Sequence, residues 1–247
     1  MSRAKVIRQQ IWEKLRPVAK PDSRFHLDFA NVIPDFLGSE QAIDRLVSQP
    51  LYHEAGYAFV APDNGLAQLR RRMLDDGKTL VVSTYGIHRG FVLLEPAGIA
   101  PEHTEFASWL DGLEHFGRPI SLAELATRGR FDFMATGASA VSVNGVRFGK
   151  GHGFFDLEWG MFTDLAVADE RTPVIAVVHD VQVVEENLEP SETDILVDAV
   201  ATPTRYFNVK RGGRPKGIKW NLLEPGQLIA TPPLQELQRM QGLTPEA

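Results

Sequence analysis

Arg147-Phe148-Gly149-Lys150-Gly151-His152-Gly153-Phe154-Phe155-Asp156 sets three glycines at alternate positions, with a lysine and a histidine between them and a carboxylate at the end. Glycines spaced in this way let a backbone adopt positive φ and bring its N–H groups close to a ligand. Phe154, Leu157, Met161 and Leu165 then recur at helical spacing, which predicts a helix starting where the loop ends. N–H groups that converge ahead of a helix N-terminus form a site for phosphate oxygens. Arg147 and Lys150 add positive charge, and Asp156 is placed to hold a magnesium ion that bridges phosphates. The same residues also suit a tight strand-to-helix turn, with Asp156 favourable to the helix dipole. Arginine, lysine and aspartate together in one short loop favour the phosphate site.

Outward from the loop, apolar runs alternate with helical periods. Runs at 56–61, 79–84, 90–94, 131–135, 173–178 and 195–199 read as strands, several of them β-branched and of the buried parallel kind. Helical periods cover 4–16, a segment opened by Ser39 and Glu40, a segment carrying Leu66, Leu69 and Met73, and a short stretch near Leu122. Strand and helix alternating along a chain predict an α/β fold, three layers αβα around a mainly parallel sheet. Arg70, Arg71 and Arg72 read as a solvated surface with Asp75 and Asp76 nearby. Ligands gather at the carboxyl ends of parallel strands. Thr136 to Ser139, His179-Asp180 and Thr202 to Thr204 fall at such ends, which predicts one shared cleft.

A chain of 247 residues with 43% apolar and 23% charged residues suits one large α/β domain, or one domain with an appendage. The formal net charge of −6 argues against a general nucleic-acid binder. Without cysteine there is no disulfide framework and no thiol catalysis. The histidines have no paired ligand spacing, and Ser139 and Ser142 lack a nucleophile-elbow frame. The charged amphipathic N-terminus and the lack of any apolar run of membrane-spanning length lead us to expect a cytoplasmic protein. No motif sets the oligomeric state.

The decapeptide resembles the signature of the 5-formyltetrahydrofolate cyclo-ligase (methenyltetrahydrofolate synthetase) family, whose loop reads approximately Arg-Leu-Gly-x-Gly-x-Gly-Tyr-Tyr-Asp. Arg147, Gly149, Gly151, Gly153 and Asp156 coincide with it, and Phe154 and Phe155 stand where the family has tyrosines. The likeness extends over roughly 3–205, through Phe131 to Gly137 before the loop and through Gln182, Asp194 and Thr202 after it. It implies the layered αβα fold of the sugar-phosphate isomerase and CoA-transferase group. It further implies an ATP- and Mg²⁺-dependent ring closure on 5-formyltetrahydrofolate. In that chemistry the formyl oxygen is phosphorylated, a ring-side nitrogen attacks, and phosphate leaves. By the same resemblance, Lys5 and Arg8 supply cations to the ATP phosphates alongside Arg147, Gly149, Lys150, Gly151, His152 and Gly153. Arg147, Lys150 and Asp156 are the expected catalytic residues, with Asp156 also holding the metal. Phe154 and Phe155, and Trp220 from the later basic stretch, are expected to face the substrate.

Departures from the pattern resemble a divergent, cyclo-ligase-like paralogue branch for which a link to thiamin metabolism has been proposed. Both loop tyrosines are lost, and Asp63-Asn64-Gly65 stands where the family has an acid followed by threonine. The alternative to an enzyme is a nucleotide- or folate-binding regulator without turnover. The stretch from Lys210 to Trp220 is basic and glycine-rich, and reads as a flexible loop, a cover over an anionic ligand, or an RNA contact. Residues 1–205 are thus expected to form the cyclo-ligase-like domain, with 206–247 a basic extension packing on it or closing over it.

Overall fold

The structure, a computed structural model, describes residues 3–243. Helix α1 (Arg3–Leu15) is followed by irregular chain, then α2 (Ser39–Val47) and α3 (Pro50–Glu54). Strand β1 (Tyr57–Val60), α4 (Ala67–Asp75), β2 (Thr79–Ser83) and β3 (Phe91–Leu94) come next. Short elements α5 (Thr104–Ser108), α6 (Leu110–Phe116), β4 (Arg118–Ile120) and α7 (Leu122–Leu125) fill a stretch in which only α7 is periodic enough to be read from sequence. Then follow β5 (Phe133–Thr136), β6 (Ala140–Ser142), β7 (Arg147–Phe148), α8 (Phe154–Asp164), β8 (Val174–Val177) and β9 (Val183–Val184). Strands β10 (Ala199–Ala201) and β11 (Tyr206–Asn208) and helices α9 (Gln227–Ala230) and α10 (Pro232–Met240) complete the chain.

The main sheet runs β11-β10-β8-β5-β1-β2-β3-β4, and its five central strands are parallel. Strands β3, β4 and β11 close the two sides antiparallel. Central strands such as Phe133–Thr136 and Val174–Val177 are buried at every position, as their unbroken apolar runs require. Helix α8 lays Phe162 against the rings of Phe59, Phe91 and Phe131, while α2 and α4 pack together and reach β8, β10 and β2. The sheet is therefore mainly parallel and flanked by helices. From β1 the chain first goes to β2 on one side, and later returns to the other side at β5. The strand order reverses between β1 and β5, and such reversals open a crevice at the strands' carboxyl ends.

A second sheet, β7-β6-β9, carries the glycine loop. Ile7 and Ile11 of α1 pack on its Ala140 and on Val146, Leu188 and Leu196, which fixes α1 beside that loop. No helix among the described residues is long and apolar enough to cross a membrane.

Several expectations need correction. The apolar run 195–199 forms a strand only from Ala199; Ile195 to Val197 are buried in irregular chain. Arg70 is not on a solvated face but fully buried, donating to the carbonyls of Ser108, Ala61 and Asp63. The three polar clusters do not share one cleft: Asp180 binds the hydroxyls of Thr202 and Thr204 in a corner of its own. The basic stretch is no loose loop either. Arg211 and Arg214 are ion-paired with Asp198, and Arg211 also with Glu170.

Candidate active site

A cavity of about 230 Å³ opens at the carboxyl ends of β5, β1 and β2, where the strand order reverses. Each strand contributes a polar group at or just past its end: Thr136 closes β5, Ser83 closes β2, and Asp63 follows β1. Asp63 accepts the Gly137 N–H at 2.8 Å, joining the two strands on either side of the reversal. An added Cβ at Gly137 would stand 2.8 Å from the Asp63 carboxylate and 2.9 Å from Ile33, so only glycine fits there. The opposite wall bends through Tyr85 to Ile87, and Ile87 holds φ 58. A β-branched residue in that region is strained, and strain of this kind collects at functional sites.

The glycine loop forms the remaining wall. None of the N–H groups from Gly149 to Gly153 donates a hydrogen bond to the described residues. Gly151 sits at φ 114 and Gly153 at φ 66, conformations that side chains resist and that splay consecutive amides outward. Gly153 is also the N-cap of α8, so the helix dipole adds to the same field. Local sequence is enough to build this much.

Packing brings the cations to it. Arg147, 6% exposed, donates through Nε to the Gly137 carbonyl at 3.2 Å and lies 4.7 Å from the Phe155 ring centroid. That arrangement leaves both Nη groups without a protein partner among the described residues, beneath Gly149. Lys150 donates to the Asn31 carbonyl at 3.2 Å, with its ammonium 4.7 Å from the Tyr85 ring and 5.6 Å from the Phe154 ring. Burial lowers its pKa. Arg8 reaches over from α1 to within van der Waals range of Gly151; burial lowers its pKa too, against the pull of Asp194.

Carboxylates complete the ring. Asp156, in the first turn of α8, accepts the Ile195 N–H at 3.3 Å, and burial pushes it up to about 6. Arg147 opposes that rise and Asp194 adds to it. Asp156 and Asp194 line the cavity together, and two carboxylates with phosphate oxygens are the donor set magnesium prefers. Glu158 stands one helical turn beyond Phe154, and burial pushes it up to about 8. The neighbouring Ser83 hydroxyl and Arg147 oppose this, while Asp63 and Asp156 reinforce it. At neutral pH a group so placed carries its proton and can donate it in a hydrogen bond.

Of the residues singled out from sequence, Arg8, Arg147, Gly149, Lys150, Gly151, His152, Gly153, Phe154, Phe155 and Asp156 line this one cavity. Lys5 does not; it is exposed on α1, outside the lining. Trp220 is not in the lining either; its turn packs the ring against the main core. Sequence reasoning did not single out Arg24, Ser83, Tyr85, Ile87 or Glu158 as site residues. Glu158 alone left a signal, a carboxylate four residues after Phe154 on the buried face of an apolar helix.

Comparison with known proteins gives the family and the fold. The model of the 5-formyltetrahydrofolate cyclo-ligase family matches residues 1–203. A methenyltetrahydrofolate synthase domain-containing protein of Homo sapiens is 32% identical over 239 residues, covering 94% of this chain and 60% of that protein. Its Danio rerio counterpart is 30% identical over 239 residues, covering 95% and 61%. The chain thus spans about three fifths of the length of these curated relatives. The NMR structure of Aquifex aeolicus 5,10-methenyltetrahydrofolate synthetase aligns with 89% of this chain and 99% of that one, with a TM-score of 0.51 and 19% identity, a likeness of fold.

Proposed function

The chain belongs to the 5-formyltetrahydrofolate cyclo-ligase family, and on that premise we propose that it is an ATP-dependent, cyclo-ligase-like enzyme of one-carbon metabolism. Its substrate is 5-formyltetrahydrofolate or a related N-formyl or amide-bearing heterocycle. The γ-phosphoryl group passes to the formyl oxygen, and a neighbouring amine attacks the formyl carbon. Inorganic phosphate then departs with that oxygen while the amine proton is released.

The amides of Gly149 to Gly153, without a partner among the described residues and ringed by Arg8, Arg147 and Lys150 at the strand-order reversal, carry this reading. Those amides hold phosphate oxygens, and the cations stabilise the charge that builds up during transfer. Magnesium, held by Asp156 and Asp194, would supply neutralisation of the phosphate oxygens. Asp63, Asn64 and Glu158 present hydrogen-bonding groups to the heterocycle, between apolar walls of Ile87, Leu110 and Phe154. Residues 206–243 act as a cover of the same domain.

The test is direct. Methenyltetrahydrofolate absorbance should grow when the protein meets ATP, Mg²⁺ and 5-formyltetrahydrofolate. A flat trace despite tight ATP binding would replace the enzyme with a nucleotide-binding paralogue that lacks turnover.

A further inference from the structure

One wall of the cavity is a self-contained piece of chain. The Lys20 N–H donates to the Asp35 carbonyl at 2.8 Å and the Leu37 N–H to the Val18 carbonyl at 2.8 Å, while the Lys20 ammonium meets the Asp35 carboxylate at 2.7 Å. Residues 21–34 therefore leave and return through one narrow neck, with Pro21 and Pro34 at its two sides. A surface loop of this length with its ends together is an Ω-loop, a form often used at functional sites. The hydrogen bonds that its amides make among the described residues all end inside it. Arg24 and Phe25 donate to the Asp22 carboxylate, His26 to the Asp22 carbonyl, and Asn31 and Val32 to the Asp28 carbonyl. Such a loop can move as a unit, because moving it breaks none of these bonds.

Phe29, buried beside Trp12, holds the base of the loop. Over the cavity, where Arg24, Val32 and Ile33 form lining, hydrogen bonds from three walls hold it down. Asn64, after β1, donates to Asp22 at 2.6 Å. The Tyr85 hydroxyl donates to the Asn31 carbonyl at 2.9 Å, and its ring stacks on Phe25 at 5.1 Å. Lys150, in the glycine loop, donates to that same Asn31 carbonyl at 3.2 Å.

With the loop in place the cavity holds about 230 Å³, below the roughly 300–1,000 Å³ of pockets that take a single small ligand. The reaction proposed above brings two ligands together, so a wall has to move. Of the three holders, Lys150 is the one whose partner changes when the site fills. A phosphate oxygen offers its ammonium a full opposite charge, which a carbonyl does not. We propose that residues 21–34 are a lid latched by Lys150, and that phosphate at the glycine loop draws the ammonium off Asn31 and frees the lid, opening the acceptor's way in. The inference rests on the phosphate role of the glycine loop given above.

The chain has no cysteine, so an introduced pair of thiols takes the only spin labels. Labels at Ser23→Cys in the lid and Glu54→Cys in α3, both exposed positions, report the distance of the lid from the body by pulsed electron resonance. One population should dominate in the ligand-free protein. Saturating MgATP, with binding checked by calorimetry, should raise the open population roughly fivefold, the factor for loss of one hydrogen bond. Lys150→Met should give the same rise without ligand, and MgATP should add nothing to it. Tyr85→Phe removes the other donor to Asn31 and should raise the open population by a similar factor. No rise in either variant overturns the latch, whatever MgATP does. MgATP that binds but leaves the lid in place, or tightens it, overturns the release. If calorimetry finds no MgATP bound while Lys150→Met frees the lid, the phosphate role fails and the trigger fails with it.

Discussion

Replacing Lys150 with methionine separates binding from folding more cleanly than any other change at the site. The lysine ammonium lies against the rings of Tyr85 and Phe154 and donates to the Asn31 carbonyl. Methionine keeps the length and the contact with both rings, and a thioether beside an aromatic ring recovers about 0.3–1.5 kcal/mol. The lost cation–π term is about 0.5–1 kcal/mol at a partly exposed site, and the Asn31 carbonyl can turn to water. Stability should therefore stay within about 1 kcal/mol, a melting shift of roughly 2–4 °C for a chain of this size. Nucleotide binding is a different matter. A charge-assisted hydrogen bond to phosphate is worth about 1.5–3 kcal/mol, so the Kd for MgATP should rise roughly 10- to 150-fold. Calorimetric titration beside a thermal melt reads both quantities on one preparation. A folded Lys150→Met variant that binds MgATP within twofold of the unmodified protein would refute the placement of phosphate at this loop.

Two other side chains give tests of the fold around the site. Glu158 has its folded pKa raised to about 8 from an unfolded value near 4.3, so between those values the native state binds more protons than the unfolded chain. Stability of the metal-free protein should then fall as pH rises from about 5 to 8. Glu158→Gln should flatten that slope in thermal melts, and an unchanged slope would show that the carboxyl is already ionised. Arg70 donates to three backbone carbonyls from inside the core, and Arg70→Met should cost about 3 kcal/mol, or roughly 6–12 °C of melting temperature. A loss under 2 °C would mean that water replaces the guanidinium there.

The parts of the fold legible from sequence are those with a sustained period. Ile7, Ile11 and Leu15 predicted α1, and the β-branched run from Thr79 predicted β2, because burial of one stripe or of both faces writes itself into residue order. The stretch 95–130 hid α5, α6 and β4, each too short to repeat a pattern. The small sheet of β6, β7 and β9 was hidden for the same reason. At 195–199 the apolar run records burial, but burial does not say whether a neighbouring strand is there to pair. Arg70 misled because a guanidinium is costly to bury, and the carbonyls that satisfy it come from β1's end, the Asp63 corner and α5.

The glycine loop's own character is a local property. Alternate glycines, the charges between them and the helix that follows are neighbours along the chain, and their conformational freedom and dipole need no distant partner. Its surroundings could be settled only in three dimensions. Arg8 meets Gly151 while Lys5, on the same helix, lines no part of the cavity, because the packing of Ile7 and Ile11 sets that helix's rotation. Asp156 meets Asp194, Asp63 meets Gly137, and the chain beyond 203 walls a second chamber, each through strand order and helix docking. Electrostatics and hydrogen bonding act over a few ångströms of space, and only tertiary packing turns large separations along the chain into distances that short.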